Sequence, residues 1–197
     1  NREPRDAHPI VTDPHVMVHL VPEEVLDGVD LDLADVEAAR RSLELGEPSR
    51  DQSIGVWWAH APLRSTPAGP NSVCNWASCL KASGLVEWRF NVARKNPDDP
   101  TVLVDPELLE RQIVALVDRG LQFLRAAGLP GRVLVGAVLY RTEQIGVAIP
   151  GSRSTRLRDT NPSFPTALIP AGAVHGGDSM KSLFDGLWLA AGAPRGS

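Results

Sequence analysis

Histidine and cysteine are the residue types here most able to do chemistry. The chain holds His8, His15, His19, His60, His175, Cys74 and Cys79. His15 and His19 have the i,i+4 spacing that suits a zinc ion on a helix. Their surroundings, His15-Val-Met-Val-His-Leu-Val21, alternate like a strand, and four strand residues span about 13 Å, too far for one ion. No metal and no other cofactor is expected. Cys74 and Cys79, five apart, fall on opposite faces of one strand and do not face each other for a disulfide. The sequence lacks a Gly-x-Ser-x-Gly nucleophile turn. Cys79 with His60 is the one thiol–imidazole pairing to weigh, and a small hydrolase built on it is kept as an alternative. The acidic neighbours Asp98-Asp99 and Glu23-Glu24 read as solvated loop residues.

Two further groups suit binding more than catalysis. Pro150-Gly-Ser-Arg-Ser-Thr-Arg-Leu-Arg158 joins flexible backbone to hydroxyls and to Arg153, Arg156 and Arg158. With Arg141, these guanidiniums make a candidate phosphate or nucleic-acid surface. The blander reading is a solvated loop, since the chain carries 17 Arg against Lys81, Lys95 and Lys181 and any one Arg says little. Trp57 and Trp58 are adjacent on a strand and must point to opposite faces, so one enters the core. The other is helix-covered or makes a recognition surface with arginine nearby. Trp57, Trp58, Glu87 and Arg89 are the candidate ligand or partner residues. Replacing Glu87 or Arg89 with alanine is expected to change binding and leave stability nearly untouched.

The elements that must position these groups follow from periodicity. His15 to Val21 is a half-buried strand with Val16, Val18 and Leu20 inward. Asp32 caps a helix carrying Leu33, Val36, Ala39 and Leu43, closed by Gly46 and Pro48. Ile54 to His60 is a strand with Ile54, Val56 and Trp58 on one face, followed by a loop over 61–71. Val73 to Ala82 and Leu85 to Val92 form a hairpin turning at Ser83-Gly84. In its second arm Val86, Trp88, Phe90 and Val92 face inward, and Glu87, Arg89 and Asn91 face outward.

After a break at Asn96-Pro-Asp-Asp-Pro100, Asp105 caps the strongest helix, with Pro106 at its first position, an apolar stripe of Leu109, Ile113, Leu116, Val117, Leu121 and Leu124, and Gly128 and Pro130 ending it. Val133 to Tyr140 is apolar throughout, as suits a central strand covered on both faces. Ile145 to Ile149 and Thr166 to Ile169 are shorter strands, and Asp178 caps a closing helix with Leu183, Phe184, Leu187 and Trp188. The order lacks regular β/α alternation. It predicts an α+β fold: a mostly antiparallel or mixed sheet of about six to seven strands, with the long helix and the C-terminal helix packed on it.

Composition bounds the rest. The 197 residues suit one domain at residues 15–193, after a charged, proline-containing linker or tail at 1–14. A net charge of −4 disfavours wholesale nucleic-acid or anionic-membrane binding. Few cysteines and a polar start without an apolar signal segment favour the cytoplasm. The first residue is Asn, which fits a fragment of a longer chain.

The second half also carries a resemblance. A hairpin turn Ser83-Gly-Leu-Val-Glu87, a long helix ending in Ala127-Gly-Leu-Pro-Gly131, an apolar strand at 133–140 and a closing Leu183-Phe-Asp-Gly-Leu-Trp-Leu-Ala-Ala-Gly192 occur in that order. Residues 72–192 resemble the C-terminal region of bacterial ATP-binding proteins that carry an N-terminal Schlafen/AlbA-type domain. The resemblance implies an accessory module, with nuclease or nucleotide-binding residues in a separate N-terminal domain. No active-site residue carries over. A non-catalytic regulatory, ligand-sensing or protein-interaction role is expected, without a cofactor, with a protein partner or small ligand ahead of nucleic acid, no membrane, and homo-oligomerisation left open.

Overall fold

Alternation and capping dictate most of the architecture of the computed structural model. It describes residues 10–11, 14–28, 30–66, 69–92, 94–96, 99–142, 145–147, 155–157, 161–170 and 172–190. In chain order the strands begin with β1 (Ile10–Val11), β2 (His15–Pro22), β3 (Ser49–Ser53), β4 (Val56–His60), β5 (Arg64–Thr66), β6 (Gly69–Cys74) and β7 (Trp76–Lys81). They continue with β8 (Val86–Asn91), β9 (Arg94–Asn96), β10 (Asp99–Val104), β11 (Val133–Tyr140), β12 (Ile145–Val147), β13 (Thr155–Arg156) and β14 (Ala167–Ile169). The α-helices are α1 (Glu37–Arg40), α2 (Pro106–Ala126) and α3 (Lys181–Ala190).

A seven-stranded sheet in the order β14-β11-β2-β8-β7-β4-β3 organises the fold, with every neighbouring pair antiparallel. Two smaller sheets, β1-β6-β5 and β13-β12-β10-β9, each contain one parallel pairing. The α+β class expected from the sequence is the class observed.

The core lies on one face of the large sheet. Val16, Val18 and Leu20 of β2, Trp57 of β4, Leu80 of β7, and Val86 and Trp88 of β8 join it. Helix α2 packs there through Leu109, Ile113, Leu116, Val117, Leu121 and Leu124, the stripe read from the sequence. It starts as predicted, with Asp105 accepting the Leu108 amide at 3.1 Å and Pro106 at the first position. Leu183, Phe184 and Leu187 of α3 close the same core.

Several expectations need correction. The helix from Asp32 shrinks to a turn, the four residues of α1 and a 3-10 turn at Arg41–Leu43. Asp32 Oδ1 still accepts the Ala34 amide at 2.8 Å, but a segment this short buries only Leu33, Val36 and Leu43, too little to sustain a regular helix. Ile54 is fully exposed in the turn between β3 and β4 rather than sharing a strand face with Val56 and Trp58, because Gly55, at φ 71°, reverses the chain there. Val133 to Tyr140 is second from the sheet edge and alternates, with Leu134 exposed; only one of its faces is covered by core. Strands β3, β5, β9, β10 and β13 and the first residues of β6 occupy stretches read as loop or chain break or given no element, where polar or proline-containing sequence hides strand periodicity. The arm read as one strand from Val73 to Ala82 breaks at Asn75, so Cys74 lies on β6 and Cys79 on β7, in different sheets. Ile10–Val11, within the stretch read as a tail, pairs with Val73–Cys74 and buries Val11.

Candidate functional site

Strand register alone gathers the polar candidates. His19 pairs with Glu87, Glu87 with Cys79, Cys79 with Trp58, and Trp58 with Asp51. A cross-strand row thus runs Asp51–Trp58–Cys79–Glu87–His19, and a second row, His60–Ala77–Arg89–Met17, lies beside it. Both rows point away from the helix-packed core, because side chains alternate along each strand. Met17, Trp58 and Cys79 are buried yet belong to neither apolar cluster. On this second face Ala77 packs with Val11 of β1 and Cys74 of β6 in a small cluster of its own.

Glu87 is the centre of the arrangement. Arg89 Nε donates to its Oε1 at 2.6 Å, and His19 Nδ1 lies 3.3 Å from its Oε2. The Arg89 guanidinium carbon sits 5.9 Å from the centre of the Trp58 ring, in cation–π range. Burial pushes the His19 imidazole below its ordinary pKa; Glu87 opposes this, and Arg89 and Lys81 add to it. A neutral imidazole meets a carboxylate only as a donor, so Nδ1 carries the proton and Nε2 is left as an acceptor. The terminal nitrogens of Arg89 make no hydrogen bond among the described residues. The surface therefore offers guanidinium donors and an imidazole acceptor, backed by the buried Trp58 indole.

The sequence candidates separate accordingly. Trp58, Glu87 and Arg89 come together, while Trp57 turns to the core, 1% exposed, with Arg40 5.4 Å over its ring. Glu87, expected to face outward, is on the expected face but only 8% exposed. His19, read as one histidine on a solvent face, joins the cluster; pairing β2 with β8 in register was the signal that would have found it.

The thiol–imidazole pair is not assembled. Cys79 is buried, and burial first, with Glu87 second, pushes its thiol pKa up to about 12. The ring nitrogens of His60 are already engaged, Nδ1 at 2.8 Å from the Ala61 carbonyl and Nε2 at 3.2 Å from Asp51 Oδ2. Ser78-Cys-Leu-Lys81 matches the Ser-x-x-Lys nucleophile spacing, a signal the sequence reading passed over. On a strand its ends diverge: Ser78 is buried, donating to the Ala59 carbonyl at 3.4 Å, and Lys81 is exposed on the opposite face. Three residues apart are neighbours on a helix and not on β7.

Among the described residues no three His, Cys, Asp or Glu side chains converge as a metal site. Glu23 pairs with Arg132, and Glu24 accepts the Gly131 amide at 2.7 Å, so this acidic pair ties the β2 end to the α2–β11 loop. Of the arginine group, Arg153 and Arg158 lie outside the described residues, as does the side chain of Arg156 on β13. Arg141 is exposed in a left-handed conformation, φ 55°, its amide donating to Asn161 Oδ1 at 3.0 Å. No helix among the described residues is long and apolar enough to cross a membrane. Compared with known proteins, the chain matches no family model, no curated protein and no solved structure.

Proposed function

We propose that this chain is a non-catalytic interaction domain that grips a protein segment through the Trp58–Glu87–Arg89–His19 face of its large sheet. One observation carries the reading: Arg89 is fixed by Glu87 at 2.6 Å and laid along Trp58, while its terminal nitrogens stay unbonded among the described residues. A guanidinium pre-organised in this way loses little freedom on binding and favours a carboxylate, which it can hold with two parallel hydrogen bonds. Trp58 and Met17, buried behind the guanidinium, give that carboxylate a poorly hydrated seat in which the pairing is stronger. The absence of a reactive thiolate at Cys79 supports binding over covalent chemistry.

Selection from a random peptide library displayed on phage tests the proposal. Peptides carrying Asp or Glu are expected to be enriched on the wild-type domain. They should bind Arg89→Ala at least tenfold more weakly and leave binding to Arg141→Ala unchanged. Peptides that ignore Arg89→Ala would overturn it.

The wider setting belongs to the same proposal. On the resemblance of residues 72–192, the domain is the accessory part of a cytoplasmic bacterial protein of regulation or defence with a Schlafen/AlbA-type domain upstream. The full reading frame tests this: an unrelated upstream sequence would remove that setting and leave the binding face to stand alone.

A further inference from the structure

A second concavity lies on the other side of the large sheet, at the end of β7 and β8 under α2. It encloses about 360 Å³, at the small end of the roughly 300–1,000 Å³ usual for ligand clefts. Trp76 and Phe90 pair across β7 and β8 and form an aromatic wall. Leu116 of α2 and Leu45 close the apolar part. Arg119 of α2 donates to the Glu44 carbonyl at 3.0 Å and so ties the segment bearing Leu45 against the helix. Glu44 is in turn held by Arg50 through contacts of 2.6 and 2.8 Å. The cleft is therefore braced rather than a gap between loose segments.

Its rim is not apolar. Gln112 of α2 and the backbone positions Asn75 and Asn91 line the mouth, and a smaller recess of about 140 Å³ opens between Asn91 and Gln112 toward the start of α2. The Asn91 amide donates to the Asn75 carbonyl at 2.8 Å, which fixes the backbone at this end of the cleft. An aromatic wall beside a carboxamide is a defined chemistry. Ring faces stack on planar π systems, and a carboxamide presents a donor and an acceptor side by side, matching a heterocycle edge that does the same.

We infer that the cleft between α2 and the β7–β8 end binds a small planar heteroaromatic molecule, stacked on Trp76 and Phe90 and read at its edge by Gln112. The class is that of a nucleobase or nucleoside. The site is independent of the Arg89 face, which lies on the opposite surface of the sheet.

Adenosine and indole are the probes, titrated into isotope-labelled full chain and followed by amide and indole NMR shifts. Adenosine is expected to shift the side-chain amide of Gln112, the backbone amides of Asn75 and Asn91 and the Trp76 indole, with a dissociation constant below about 1 mM, weak but specific for so small a site. Gln112→Leu, a change on the exposed side of α2, should weaken adenosine at least fivefold and leave indole within twofold. Ala115→Trp, filling the mouth, should abolish binding of both, and the amide spectrum reports whether each variant remains folded. If adenosine moves no resonance in the cleft, or Gln112→Leu weakens indole as much as adenosine, the edge-reading site is wrong. Loss of peptide binding to the Arg89 face has no bearing on these outcomes.

Discussion

Glu87 accepts from two side chains at once, with Arg89 Nε at 2.6 Å and His19 Nδ1 at 3.3 Å, and is almost closed off from solvent. That geometry revises the expectation that Glu87 and Arg89 can both be removed without affecting stability. Removing Glu87 leaves a half-buried imidazole and a guanidinium without their shared acceptor, at a cost of about 1–3 kcal/mol. Removing Arg89, whose side chain is 25% exposed, leaves the buried Glu87 carboxylate with His19 alone, also at a cost of about 1–3 kcal/mol. Urea unfolding should therefore show a loss in both Glu87→Ala and Arg89→Ala, and in the double variant a loss smaller than the sum of the two. Additive losses would mean that the pair does not act as a unit.

His19 gives the same cluster a pH dependence. Its imidazole pKa is lowered in the fold from 6.5, chiefly by burial. The unfolded chain then binds the proton more readily, so the stabilisation is complete above the unfolded value and disappears as pH falls through the folded one. Unfolding free energies measured from pH 8 downward should fall less steeply below about pH 6.5 in His19→Gln than in the wild type. Parallel curves would remove His19 as the group responsible.

At the scale of elements, α2 and the large sheet approach so closely that glycine is required between them. A Cβ built on Gly120 would lie 2.4 Å from Leu20 Cδ2 and 2.8 Å from Trp88 Cη2. Alanine is intrinsically the better helix former by about 1 kcal/mol, but overpacking against two fully buried core side chains typically costs about 1–3 kcal/mol. Gly120→Ala is expected to lower the melting temperature; a rise would show that Leu20 and Trp88 can move aside freely. This conflict was hidden in the sequence, where Gly120 reads only as a weak point in an otherwise strong helix. Asp105, Pro106 and the apolar stripe of α2 were legible because capping and 3.6-residue periodicity are local. The short helix near Asp32 was not, because a cap signal says where a helix starts and nothing about whether its face finds enough core to keep it going.

For the molecule as a whole, the helices collect on one face of the seven-stranded sheet, and the second face carries both the charged cluster and part-exposed apolar residues. Leu134 and Leu168 are cross-strand neighbours near the sheet edge, 41% and 52% exposed. Replacing them together, Leu134→Lys with Leu168→Glu, exchanges an exposed apolar pair for an opposite-charge pair and should change stability by less than about 1 kcal/mol. A loss well above that, growing with protein concentration, would mean that a second copy covers this face in solution.

The sequence by itself determined the α+β class, the span and cap of α2, the β7–β8 hairpin and the inward set on β8, all of which rest on repeats only a few residues long. It also limited Trp57 and Trp58 to opposite faces, since alternation admits nothing else. Only the tertiary structure decided which of them meets Arg89, that His19 reaches Glu87, and that Trp76 and Phe90 border a cleft beneath Gln112. Those contacts join strands and helices far apart along the chain, and register between distant segments is set by how the whole core packs.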